Sequence, residues 1–326
     1  MLLEVRHLTE YHYDEPVRES VMELWMQPQK SASQRLVGFE LELDPAAQMF
    51  SYVDAFGNAV HHFDVPQPHA KLSIVARSAV ETQAPPTLMN ALDLGEWDRL
   101  KGDFVRGENF DFLRPHGFAI ETPALAAFVA EHQIDRLKTQ DPLSAVRALS
   151  EIIYRAFAYE PGVTDAESPI DVALAEKRGV CQDFAHIMIA ICRSWGVPAR
   201  YVSGYLFTDR QLGDRSDPEA THAWVEVFLP TLRWVGFDPT NNVLAGERHI
   251  ACSVGRDYDD VPPSRGVFKG DAESILRVAV LVRRARTTLS EPDFIRAAQP
   301  TFSRGKRHPG RMTGAQRDEQ QQQQQQ

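Results

Sequence analysis

Long apolar runs are missing from this chain. Nothing in it approaches the ~18 consecutive apolar residues that a membrane-crossing helix requires, so no membrane span is expected. Cysteine is scarce: there are three, Cys181, Cys192 and Cys252, with no CxxC pair. That argues against a disulfide framework and a zinc ribbon, and it fits a reducing compartment where a free thiol persists. A basic excess is lacking too. The formal net charge is -10, which speaks against nucleic acid as a partner, because such binding needs a cationic surface to displace counterions. Residues 1–10 contain no basic segment followed by an apolar run, so no signal peptide is expected and a cytoplasmic location is the default. What remains is an ordinary globular composition. With 43% hydrophobic and 25% charged residues over 326 positions, the chain is long enough for two domains and a core without disulfides or structural metal.

Period-two alternation and aromatic content mark residues 1–83 as a β-rich domain, expected to be a small sandwich. Its expected strands are Leu2 to Tyr13, Glu19 to Met26, Leu36 to Leu43 and Lys71 to Val80. Phe50 to Val65 reads as a hairpin turning at Phe56-Gly57-Asn58. Pro85-Pro86, scattered glycines and mixed charge make 84–120 an expected linker over the surface. A catalytic domain is expected over 121–286. It opens with helices from Pro123 and Pro142, each with proline at the favoured first-turn position. Ser168 is the expected cap of a helix over Ile170 to Lys177. Phe184, Ile187, Met188 and Ile191 recur at helical spacing and define the buried face of a helix from Cys181 to Trp195. Strands follow at Arg200 to Phe207, His222 to Leu229 and Arg233 to Phe237, with a last one at Ile275 to Arg283. Residues 287–326 have little apolar periodicity and end in a glutamine run, so a disordered tail is expected there.

Chemistry enters with Gly179-Val180-Cys181. A thiol acts as a nucleophile only as thiolate, and a helix start, with unpaired amides and a favourable dipole, is one place that stabilises thiolate. Asp183 works the other way, since its charge disfavours a nearby thiolate. A partner histidine must come from elsewhere in the fold. His222 opens a strand after a polar loop, and alternation sets it on one face with Trp224, Glu226 and Phe228. If Leu229 to Leu232 is a tight turn pairing Phe228 with Arg233, His222 falls near Pro239 and Asp238 lies beside it. Asp238 could then orient the imidazole. The bland alternatives are a buried hydrophobic thiol, a structural histidine and a turn aspartate before Pro239.

Four blocks then bear comparison with a known family. They are Gly179-Val180-Cys181-Gln182-Asp183-Phe184-Ala185-His186, Gly196-Val197-Pro198-Ala199-Arg200-Tyr201-Val202-Ser203-Gly204-Tyr205, Thr221-His222-Ala223-Trp224-Val225-Glu226-Val227 and Trp234-Val235-Gly236-Phe237-Asp238-Pro239-Thr240. In this order they resemble the transglutaminase-like cysteine-enzyme superfamily, and the β-rich start is similar to the N-terminal domain found on bacterial members. The resemblance implies an α+β, papain-like transglutaminase core preceded by a small β-sandwich. It implies Cys181 as nucleophile, His222 as general base and acid, and Asp238 as the orienting carboxylate. The reaction runs through a thioester on a peptide or protein substrate, with water as acceptor giving hydrolysis and an amine giving transamidation. A catalytically silent binding module on the same fold is the remaining alternative, and such a module would not need the Cys, His and Asp together. For substrate and oxyanion contacts the candidates are Gln182, Tyr159 and Trp224. Animal members use calcium, but Asp257-Tyr258-Asp259-Asp260 lacks the spacing and glycine of an EF-hand loop, so no metal and no cofactor is expected. Cys192 and His186 are expected to be structural, and Glu226 to line the cleft beside His222.

Overall fold

The computed structural model describes residues 1–84, 89–217 and 220–285, with the backbone of Arg317–Asp318. Six strands come first: β1 (Leu2–Val17), β2 (Glu19–Leu24), β3 (Gln34–Asp44), β4 (Met49–Val53), β5 (Ala59–Val65) and β6 (His69–Thr82). Six helices follow: α1 (Glu96–Leu100), α2 (Asp103–Glu108), α3 (Pro123–Glu131), α4 (Pro142–Ala156), α5 (Ile170–Glu176) and α6 (Cys181–Ser194). Among them lie two short strands, β7 (Ala158–Tyr159) and β8 (Arg178–Gly179). Then come β9 (Ala199–Leu206), β10 (His222–Leu229), β11 (Arg233–Asp238), β12 (Val243–Leu244), β13 (His249–Gly255), β14 (Ser264–Lys269) and β15 (Ser274–Arg284).

Two antiparallel sheets, β15-β1-β6-β3 and one containing β14-β2-β5-β4, form the sandwich. Alternation explains them: the inward residues Tyr11, Met22, Leu24, Phe63, Leu72 and Ile74 interlock between the sheets. The β4–β5 hairpin turns where expected. Gly57 takes φ +84 there, and Asp54 Oδ1 accepts from the backbone N–H of Phe56 and Asn58. The chain's last strands behave differently from expectation. β14 pairs with β2 and β15 pairs with β1, so residues 264–284 complete the sandwich rather than join the sheet of the expected catalytic domain. A strand's own pattern shows which face is buried but not which edge it joins. The expected tail at 287–326 lies outside the described residues, apart from the Arg317–Asp318 pairing with Gly266 and Val267.

In the rest of the chain, α6 packs on the sheet β12-β11-β10-β9-β13. Ala223, Val225, Val227 and Leu229 face it from β10, and Leu143, Val146, Leu149 and Ile153 cover it from α4. Phe184, Ile187, Met188 and Ile191 are all buried, each contributing about 1.5–3 kcal/mol by leaving water. Pro142 opens α4 as expected, and Asp141 caps it by accepting from Leu143 N and Ser144 N. Ser168 does not cap α5. Pro169 occupies the cap position, and the Ser168 hydroxyl donates instead to Asp165 at 2.8 Å.

The segment expected to be a surface linker is anchored. Buried Glu96 accepts from Thr231 N at 2.7 Å, and the Arg193 guanidinium donates to the carbonyls of Phe112 and Arg114. Pro85 and Pro86 lie outside the described residues. The sandwich is docked through two side-chain amides that imitate a neighbouring strand. Asn58 exchanges 2.8 Å hydrogen bonds with both backbone groups of Val254, and Gln34 does the same with Ala251. These satisfy the free edge of β13.

Candidate active site

The site begins where β8 runs into α6. Gly179 is not in the left-handed region; it is needed because a Cβ there would lie 2.6 Å from the Asp183 carboxylate. That carboxylate accepts from Val180 N at 2.8 Å and from the Thr164 hydroxyl at 2.6 Å, capping α6. Burial pushes the Asp183 carboxyl up to about 6 despite these hydrogen bonds. β7 pairs in parallel with β8, Tyr159 opposite Gly179, which sets the Tyr159 ring beside the nucleophile position.

The β10–β11 hairpin has a different register from the expected one. Leu229 pairs with Arg233 and Phe228 with Trp234, around a three-residue loop. Leu232 N donates to the Leu229 carbonyl at 2.9 Å across the turn, and Arg233, the residue that closes it, takes φ +65. Continuing this register sets Asp238 opposite Trp224, on the same face as His222. The expected register would have put it opposite Ala223, on the wrong face.

Three groups converge. His222 Nε2 donates to Asp238 Oδ2 at 2.8 Å, which leaves Nδ1 for the thiol, and Cys181 hydrogen-bonds the imidazole. Burial alone would lower the His222 pKa, but the Asp238 carboxylate and Cys181 push it up to about 10, so the ring is cationic at neutral pH. In return, the cationic His222 and the donors around Asp238 overcome burial and hold its carboxyl far below the usual range. Tyr159 stays a phenol, because burial and the charge of Cys181 raise its pKa. Its oxygen accepts from Asp217 N at 3.4 Å, leaving its own proton free to donate.

Three residues that sequence reasoning missed complete the network. Asn241 donates to Asp238 Oδ2 at 2.7 Å and to Ser216 Oγ at 2.9 Å, and its carbonyl accepts from Arg215 N. Ser216 Oγ lies 3.3 Å from His222 Nδ1. His249 Nε2 lies 3.2 Å from Asp238 Oδ2. No local spacing signals these contacts. The clue within reach was the run Asp238-Pro239-Thr240-Asn241, where an aspartate can hold the following amides: Oδ1 accepts from Thr240 N and Asn241 N.

Segment 209–217 covers the site. An Arg248–Asp214 ion pair, Asn241, and Arg215 donating to the Tyr154 and Phe157 carbonyls hold it down. Cys181 and His222 beneath it are each 2% exposed. A recess of about 440 Å³ beside α4, lined by Arg147, Glu151, Phe237 and Asn242 among others, contains none of Cys181, His222 and Asp238.

Cys181, His222, Asp238 and Tyr159 therefore come together, whereas two other candidates do not join them. Gln182 is buried and its Nε2 donates to the Ala166 carbonyl at 2.9 Å, so its amide fastens the 160–169 loop. Trp224 backs the histidine instead of lining a cleft: its ring stacks on His222 with centroids 6.0 Å apart and fills the space a Cβ on Gly204 would need. Glu226 is tied to Arg200 at 2.6 Å. His186 is buried, neutral, and accepts from Tyr258 N. Burial pushes the Cys192 thiol up to about 12, which suits packing rather than reactivity. Among the described residues, His222–Asp238–His249 and His116–Asp257–Asp260 have donor atoms close enough to hold a cation. In both sets those atoms are engaged by protein partners, Asp260 by Arg256 and Asp257 by His116 and Phe118 N.

A thiol at a helix start, facing a histidine and acid on an antiparallel sheet, defines the papain-like class of cysteine-enzyme fold. Comparison with known proteins narrows the class. Residues 131–239 match the transglutaminase-like superfamily, and residues 3–81 match the bacterial transglutaminase-like N-terminal region. An uncharacterized protein of Mycobacterium tuberculosis is 36% identical over 287 residues, covering 85% of this chain and 90% of its own. A protein-glutamine gamma-glutamyltransferase of Pseudomonas aeruginosa is 32% identical over 114 residues, 31% of this chain and 16% of its own. A solved structure from Cytophaga hutchinsonii, described as a candidate cysteine protease, superposes with TM-score 0.67 at 21% identity over 89% of this chain and 92% of that one. The chain belongs to the transglutaminase-like superfamily, in its bacterial form with an N-terminal β-domain. Among the described residues, no helix is long and apolar enough to cross a membrane.

Proposed function

We propose that this protein is a cysteine-dependent amide hydrolase acting on a peptide or isopeptide bond. The observation that carries the reading is the His222 imidazole, held 2.8 Å from buried Asp238 and hydrogen-bonded to Cys181. A cationic ring at that place stabilises the thiolate. The thiolate attacks the amide carbon, and the oxyanion that forms faces the Cys181 backbone N–H at the start of α6 and the Tyr159 hydroxyl. His222 Nδ1 gives its proton to the departing amine as the C–N bond breaks, leaving a thioester. Water, losing a proton to the same nitrogen, attacks the thioester, releases the acid and restores the thiolate.

Acyl transfer to an amine is the second reading, favoured by the similarity of residues in this core to the Pseudomonas gamma-glutamyltransferase. Both readings share the thioester and differ in its acceptor. The test is a peptide and isopeptide library incubated with wild type and Cys181→Ala, with and without an added primary amine. Mass spectrometry should find cleaved or deamidated products from wild type only. Adducts of the amine in place of acid would move the assignment to transfer, and equal product from both proteins would remove the thiol from the chemistry.

A further inference from the structure

Asp238 Oδ2 receives three donors: His222 Nε2 at 2.8 Å, Asn241 Nδ2 at 2.7 Å and His249 Nε2 at 3.2 Å. The third is supplied by a residue the catalytic cycle above does not use. Its tautomer is set by its own turn. Gly246 N donates to His249 Nδ1 at 3.2 Å while His249 N donates back to the Gly246 carbonyl at 2.9 Å. With Nδ1 accepting, the ring proton sits on Nε2 and points at the carboxylate. The ring is buried and packs edge-on against Trp224, with centroids 5.1 Å apart, and Trp224 in turn stacks on His222. Its charged surroundings are Asp238 on β11, His222 on β10 and Arg248 next to it in sequence, the last paired with Asp214 of the cover. Burial and the two cations keep His249 neutral against the pull of Asp238.

We propose that His249 is a positioning residue of this site: a neutral imidazole on β13 whose Nε2–H holds the Asp238 carboxylate against His222 and so keeps the thiolate–imidazolium pair formed. The proposal rests on the reading of Cys181, His222 and Asp238 as a triad. β13 is the same strand that Asn58 and Gln34 clamp, so the sandwich holds the strand that holds the acid.

The experiment needs no substrate. Cys181 of the full-length protein is alkylated with iodoacetamide across pH 4–9, site by site by mass spectrometry, in wild type, His249→Phe and His249→Gln. Phe keeps the bulk and loses the donor; Gln keeps an N–H donor. His249→Phe should move the acid-limb midpoint up by about one pH unit, slowing alkylation per folded molecule by up to about tenfold on that limb, while Gln stays close to wild type. A role in packing alone would lower the melting temperature and leave the midpoint in place, and that result overturns the proposal. Should the Phe variant fail to fold, nitrogen NMR of the wild-type histidines decides. His249 should be in the neutral Nε2–H form at neutral pH, and an Nδ1–H form or an imidazolium there overturns the proposal. Uniform slow alkylation of all three cysteines in wild type would instead remove the triad reading and this inference with it. Wild-type selectivity for Cys181, with an unchanged profile in His249→Phe, removes this inference alone.

Discussion

The sandwich and the catalytic core treat polar groups in opposite ways. The sandwich has most of its ion pairs at the surface, as with Arg35–Glu81 and Arg77–Glu42, the buried Glu4 beside Arg283 excepted. Pairs of this kind contribute about 0–1 kcal/mol. The core buries Asp183, Arg193, His222, Asp238, His249 and Asp257. Burying a charge costs several kcal/mol unless its hydrogen bonds are met, and here nearly every one of these groups is gripped by two or more partners. Most of the buried charge is thus in the core, at the candidate site and at anchors such as Arg193 and Asp257, while the sandwich contributes the amide clamps. If so, substitutions in the core should change reactivity, and substitutions in the sandwich should change stability.

Asp238→Asn should have the largest effect. It removes the partner that keeps His222 charged, and selective alkylation of Cys181 should fall about a hundredfold or more, as when an orienting acid is lost from a triad. Stability should fall with a defined pH window. The raised His222 pKa contributes stability that is fully present below about 6.5 and lost as pH rises through about 10. The depressed Asp238 pKa contributes stability present above about 4 and lost on acidification through its native value. The gap between wild type and variant in thermal melts should therefore be widest between about pH 4 and 6.5 and close toward both extremes. A gap that grows toward pH 10 would contradict the charge assignment.

Asn58→Ala should come next. It orphans both backbone groups of Val254 and should cost about 1–3 kcal/mol by denaturant titration, with Cys181 reactivity per folded molecule unchanged. Lost reactivity without lost stability would break the division of labour. Arg215→Ala should have the smallest effect. It frees the cover from the Tyr154 and Phe157 carbonyls, and alkylation of Cys181 should speed up a few-fold. A slower reaction would mean that Arg215 belongs to the reactive form and not to the closed one.

Much of this was legible in the linear pattern, for reasons that can be named. The apolar face of α6, the proline starts of α3 and α4 and the alternation of β10 each depend on neighbours within a few residues. Asp238 shows the limit. It was expected beside His222 from a register one residue off, and the structure brings them together through a shorter loop. That loop turns on Arg233 at φ +65, and an arginine announces no such conformation. Gln182 was favoured for its closeness in sequence to Cys181, yet its amide is spent on Ala166. Ser216, Asn241 and His249 meet the site from separate segments, and no spacing records such meetings. The same holds for β15, expected as a strand but not as a partner of β1, and β14 was not expected at all.

The pairing of β15 with β1 also sets an order of events in the cell. During synthesis β1 leaves the ribosome long before β15 exists, so the first sheet waits with an open edge while the catalytic part is made. Domains tend to fold as they emerge, and an exposed strand edge is a site for wrong pairing. The core is inserted in sequence between the two parts of the sandwich. The edge of β1 that β15 covers therefore stays unpaired until the chain has been made as far as residue 284.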